Sequence, residues 1–132
     1  MSAQIAYNDF DNKDRYSIFI WWLNKYKLHI PRDIDFSTFK NKFCKLSQWK
    51  KVLWHLEHYD EITNRQCVDI YGILHAPSVI RDVREYLKEE NKGRYVESVE
   101  DTGFDRWGNK CEFVHYTLKK SMDDNGQIKL FA

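Results

Sequence analysis

Apolar positions recur at three- and four-residue steps as far as Leu87, and then the period changes to alternation. In "DRYSIFIWWLNKYKLHI", which begins at Asp14, Tyr16, Phe19, Ile20, Leu23 and Tyr26 fall on one stripe. That spacing predicts a helix with Asp14 in the cap position. Trp21 and Trp22 cannot both join the stripe, so at least one needs a second partner. Pro31 disfavours helical backbone at Ile30 and ends the segment. Phe36, Phe39, Phe43 and Leu46 repeat the helical spacing and predict a second helix. Trp49, Val52, Leu53 and Leu56 predict a third, starting after Ser47 and ending near Tyr59.

"DEITNRQCVDIYG" then places Gln66 three residues after Thr63, the signature of a capping box. Val68 and Tyr71 are expected to face inward on this short helix, and Gly72 to close it in the left-handed conformation. Pro77 sits where the first turn of the next helix tolerates proline. Ala76, Ile80, Val83 and Leu87 predict that helix's buried stripe, with Ser78, Arg81, Asp82 and Glu85 on the opposite, wet face. "RYVESVED" and "KCEFVHYTL" alternate like strands, and "TGFDRWGN" supplies the glycines of a hairpin tip. The expected fold class is α+β, mainly α with a small β-hairpin. Helix, short helix, turn, helix and hairpin follow the order of a winged helix-turn-helix. The expected organisation is a helical extension over 1–46, the winged domain over 47–120 and a tail over 121–132.

Composition adjusts this picture only slightly. Apolar residues make up 42% of 132 residues and aromatics 16%, ample for a packed core. The formal net charge of +1 gives no global attraction to nucleic acid. Charge is unevenly placed, however: Lys25, Lys27, Arg32, Lys40, Lys42, Lys45, Lys50 and Lys51 face only Asp33 and Asp35 within Lys25–Lys51. That cluster would extend an electrostatic footprint across a duplex, or simply coat the wet side of two helices. Cys44, Cys67 and Cys111 are odd in number and widely spaced, and no hydrophobic leader precedes them. Reduced thiols in the cytoplasm of a bacterial host are the expectation.

The stretch from about Val52 to Leu118 resembles a family of small winged helix-turn-helix proteins found mostly in bacteriophages and prophages. The matching residues are Ile62-Thr63, Gly72, Ile80-Arg81-Asp82-Val83-Arg84, Arg106-Trp107-Gly108-Asn109-Lys110, and "VHYTL" from Val114 to Leu118. The chain departs from that pattern at Val79, where the family carries a basic residue. It departs again in the hairpin, where Glu97, Glu100, Asp101 and Asp105 make the wing more acidic.

The resemblance implies double-stranded DNA binding, in transcription regulation or DNA replication. Ser78 and Arg81 are placed for base edges, where arginine bidentate to guanine is the commonest specific contact. His75 lies at the helix start. Arg84, Arg106, Asn109 and Lys110 are the expected backbone ligands, and Asp82 is assigned to an ion pair with Arg81 or Arg84. The alternative is a solvated helix face with intrahelical pairs, or a face for a protein partner.

At the far end, "QIKLF" resembles the bacterial sliding-clamp-binding peptide. That resemblance implies Gln127 at a pocket edge, with Leu130 and Phe131 as apolar anchors helped by Ile128. A terminal strand packed on the sheet is the alternative reading of the same residues. Two further readings of function therefore stand beside DNA binding: a module for a host or phage protein such as the clamp, and an architectural subunit assembling through its N-terminal helices. His55 and His58 lie three apart and read as exposed or capping histidines. No second ligand pair, phosphate-binding loop or nucleophile elbow accompanies them. No metal, cofactor or catalytic residue is expected, and no enzymatic activity.

Overall fold

The structure is a computed structural model that describes residues 12–121, with side chains from Arg15 onward. Its architecture is α+β, with five α-helices and one three-stranded antiparallel sheet among the described residues. The chain divides into two compact units at the Leu46–Ser47 boundary.

In the first unit, helix α1 (Asn12–Lys25) begins before Asp14, which therefore lies inside the helix and not at its cap. It closes where Lys27 takes a left-handed φ of 59°, with the Leu28 N–H donating back to the Leu23 carbonyl at 2.9 Å. Phe19 and Leu23 are buried, whereas Trp21 is 55% exposed and packs edge-on against Trp22. The single second helix expected over Phe36–Leu46 is broken. Helix α2 (Phe36–Asn41) stops at Lys42, whose φ of −128° is not helical, and a 3-10 turn follows over Phe43–Lys45. The break accompanies a ring cluster in which Phe39 stacks on Phe19 and on Phe43 and Phe43 lies tilted against Phe19, at centroid distances of 5.2–5.8 Å. Phe36 is left 40% exposed.

The second unit opens with helix α3 (Gln48–Tyr59), closed by Asp60 at φ 69°. Strand β1 (Glu61–Thr63) leads directly into helix α4 (Asn64–Tyr71). The capping box is present in full: the Gln66 N–H donates to Thr63 Oγ1 at 3.0 Å, and the Thr63 N–H to Gln66 Oε1 at 3.0 Å. Gly72 closes α4 at φ 68°. Helix α5 (Ala76–Glu90) buries Ala76, Val79, Ile80, Val83 and Leu87, and Asn91 ends it in the left-handed region. Strands β2 (Arg94–Phe104) and β3 (Lys110–Lys120) complete the sheet in the order β1-β3-β2. Strand β2 runs three residues further toward the tip than the sequence pattern indicates, to Phe104, and β3 starts at Lys110 as expected, leaving only 105–109 as the turn.

Registers Ile62↔Tyr116 and Ser98↔Tyr116 align Ile62, Val96 and Tyr116 on one face. Leu53, Leu56, Cys67, Ile73 and the α5 stripe pack over that face to make the core. Each fully buried aliphatic side chain there contributes about 1.5–3 kcal/mol by leaving water. Two burial assignments change, one in each direction. Val68 is 43% exposed, and Cys67 takes the buried position instead, so its thiol pKa is pushed up to about 12 by desolvation. His55 is fully buried, not exposed, with Nδ1 hydrogen-bonded to the Tyr71 hydroxyl at 2.6 Å. Among the described residues, no helix is long and apolar enough to cross a membrane.

Burial lowers the His55 pKa to about 3, so the folded protein holds a neutral imidazole where the unfolded chain has an ordinary one near 6.5. Between these values the unfolded state binds the extra proton. Stability is therefore fully present above about pH 6.5 and declines as pH falls, by about 1.4 kcal/mol per pH unit. Urea midpoints measured from pH 6.5 to 5 should fall along that slope. The slope should flatten in His55→Leu, although that variant starts from lower stability.

Candidate nucleic-acid interface

The wet face of α5 is a direct result of its phase. Five apolar residues on one side fix the helix against the core, and the opposite residues are left to solvent. Arg81 keeps 69% of its side chain exposed, with Nε 3.9 Å from Asp82 Oδ1. An exposed pair of that length is weak and is easily exchanged for another anion. Glu85 is exposed and Ser78 half-buried on the same face. His75 caps the helix by backbone position alone, since its side chain makes no capping bond, and it is exposed. Val79, where the resembling family carries a basic residue, is 6% exposed and belongs to the core.

Arg84 is committed elsewhere. Its Nε donates to the Val96 carbonyl and its Nη2 to Ser98 Oγ, each at 3.3 Å. The side chain thus ties α5 to the edge strand β2 and satisfies a strand carbonyl there. Arg84 is exposed all the same, so the expected phosphate contact would come from a side chain already tied to β2.

The hairpin tip is organised by Asp105. Its N–H donates to the Asn109 carbonyl at 2.9 Å, and its carbonyl accepts from the Gly108 N–H at 3.0 Å. Its Oδ1 accepts from the N–H groups of Trp107 at 2.8 Å and Asn109 at 2.9 Å. Gly108 sits at φ 82°, a conformation that disfavours any side chain. The carboxylate that looks in the sequence like an acidic blemish on the wing is spent on holding the turn. Arg106, Asn109 and Lys110 are exposed at this tip, and so are Trp107 at 82% and Phe104 at 75%.

The remaining wing acids are also accounted for in part. Glu97 lies 3.1 Å from Lys119 Nζ. Asp101 and Glu61 bracket His115, at 3.6 Å from Nε2 and 3.1 Å from Nδ1. By register these residues share the sheet face turned away from the core. Glu100 is exposed. At the opposite end of the hairpin, Arg94 donates twice to Glu90, at 2.7 and 2.9 Å, and once to Glu57 at 2.8 Å. Those bonds hold the Glu90 carboxyl below its usual range and fix the end of α5 to α3 and β2.

The structure therefore leaves the predicted residues in two groups: His75, Ser78 and Arg81 on α5, and Arg106, Asn109 and Lys110 on the tip. Among the described residues, no hydrogen bond or ion pair joins the two groups. Gln127, Ile128, Leu130 and Phe131 lie outside the described residues. No cluster of three or more His, Cys, Asp or Glu side chains among the described residues is placed to hold a metal ion. The exposure of Phe104 and Trp107 does not follow from their residue types, which more often fill a core. The available signal was position, because residues at the end of a two-stranded hairpin have no facing layer. No protein-family model, curated protein or solved structure matches the chain.

If Asp105 builds the tip, Asp105→Ala should raise the amide exchange rates of Trp107 and Asn109 selectively, leaving core amides of α5 unchanged. Asp105→Asn, which keeps an acceptor oxygen, should restore most of the protection. Uniform acceleration across the domain would contradict the assignment.

Proposed function

We propose that residues 47–120 form a winged helix-turn-helix that binds double-stranded DNA, with α5 in the major groove and the β2–β3 hairpin on the flanking backbone. The setting that fits the family resemblance is transcription regulation or DNA replication in a phage or prophage. One observation carries this reading: α5 is anchored by five buried side chains while its polar face is left free. The hairpin that follows adds two exposed cations at its tip. In this reading Arg81 and Ser78 meet base edges, and Arg106 and Lys110 meet phosphates. His75 approaches the backbone at the helix start. Arg84 acts as an internal brace.

Charge balance sets the character of the binding. Ile62 to Lys120 contains ten basic and ten acidic residues, a net of 10 − 10 = 0. Affinity must come from where the cations stand and not from their excess. That balance also favours a second reading, in which the same face meets a protein partner.

Fluorescence anisotropy on a labelled duplex across a salt series separates the two. The expected result is a steep loss of affinity with salt. An Arg81→Ala, Lys110→Ala double variant should bind more weakly, with a log–log salt slope shallower by up to about 2. Absence of binding at low salt rejects the DNA reading and leaves the protein partner.

A further inference from the structure

We propose that the hairpin tip is an aromatic wedge that stacks on an unpaired base, so that the preferred ligand is DNA with a bulge, mismatch or fork. The inference rests on the nucleic-acid reading of the α5 face and goes beyond it by naming the form of DNA. Phe104 and Trp107 are 75% and 82% exposed and stand three residues apart, Phe104 at the end of β2 and Trp107 within the turn. Single exposed apolar residues are common on protein surfaces, but this hairpin end carries two exposed aromatic side chains within four residues.

Charge identifies the partner. Asp105 turns its carboxylate inward onto two backbone N–H groups, so the outward charges of the tip are Arg106 and Lys110. Neither has an ion-pair partner among the described residues. A ligand for this tip must combine anionic groups with flat apolar faces at residue-scale spacing. Nucleic acid has both, with phosphates for the cations and base faces for the rings. In continuous duplex those faces are stacked on one another and only their edges are open. An unpaired base exposes its face without the unstacking that a paired one requires.

Rigidity completes the argument. Asp105 makes four hydrogen bonds across the tip, and Gly108 supplies the positive φ, so the backbone that carries Trp107 is fixed before any ligand arrives. A wedge pre-organised in this way loses little freedom on insertion.

The test compares two labelled DNAs of one sequence, one fully paired and one with an unpaired bulge, by anisotropy at fixed salt. Wild type should favour the bulged DNA by about tenfold, within the range of one base–aromatic stack. Trp107→Ala should abolish that preference while keeping its affinity for the paired duplex, and Trp107→Phe should retain most of it. Should wild type and Trp107→Ala bind both DNAs alike, the wedge is overturned while the duplex reading stands. Binding to neither DNA overturns both readings. In that case Trp107-dependent binding to phosphatidylserine-containing vesicles would identify the tip as a lipid-surface contact instead.

Discussion

Strand β1 is only three residues long, yet it pairs with β3 from the far end of the domain, at Glu61↔Thr117, Ile62↔Tyr116 and Thr63↔His115. This non-local pairing sets the geometry of everything around it. It forces α3 to end and α4 to begin within a few residues, and both transitions are marked chemically: Asp60 takes a left-handed turn and Thr63 opens the capping box. Further bonds lock the junction, from the Leu118 N–H to the Asp60 carbonyl at 2.8 Å and from the Val114 N–H to Asn64 Oδ1 at 3.2 Å. With β1 fixed beside β3, Ile62 enters the core, and the helices have one sheet face on which to pack.

The polar surface of α5 follows from that packing. A helix whose apolar stripe is held by Leu56, Ile62 and Val96 has no freedom to rotate, so Ser78 and Arg81 are turned outward by necessity. Two arginines then brace the frame and do not serve its surface. Arg84 holds α5 to β2, and Arg94 holds the end of α5 to α3. The balanced charge of the domain is partly consumed in the same way, in pairs such as Lys119–Glu97 and in the turn built by Asp105. At the hairpin tip what stays uncommitted is cationic, Arg106 and Lys110, while Glu85 stays exposed on the α5 face, which is why the proposed function rests on placement and not on net charge.

The sequence was most legible where local chemistry decides conformation. Thr63 with Gln66, Gly72 and the stripe of α5 each follow from a rule that operates within one or two turns. It was least legible where tertiary contacts decide. The eight-residue α4 is too short for its phase to be fixed by Val68 and Tyr71, and a cysteine took the buried position. Phe36, Phe39 and Phe43 keep helical spacing, but the backbone breaks at Lys42 where Phe39 and Phe43 both pack against Phe19 from the distant helix α1. Arg84 is exposed as its helix position predicts, but nothing within its own helix reveals that β2 passes alongside and takes two of its hydrogen bonds. Trp107 is a residue type that favours burial, yet its place in the hairpin tip, legible in the sequence, governs its exposure.

The most direct test of the account is a backbone amide NMR titration of the labelled protein with a short DNA duplex at low salt. The account predicts shift changes confined to residues 75–82 and 105–110, with the Arg94 corner and the outer sheet face around His115 unmoved. Changes centred on His115 and Glu61, or no changes at all, would contradict it.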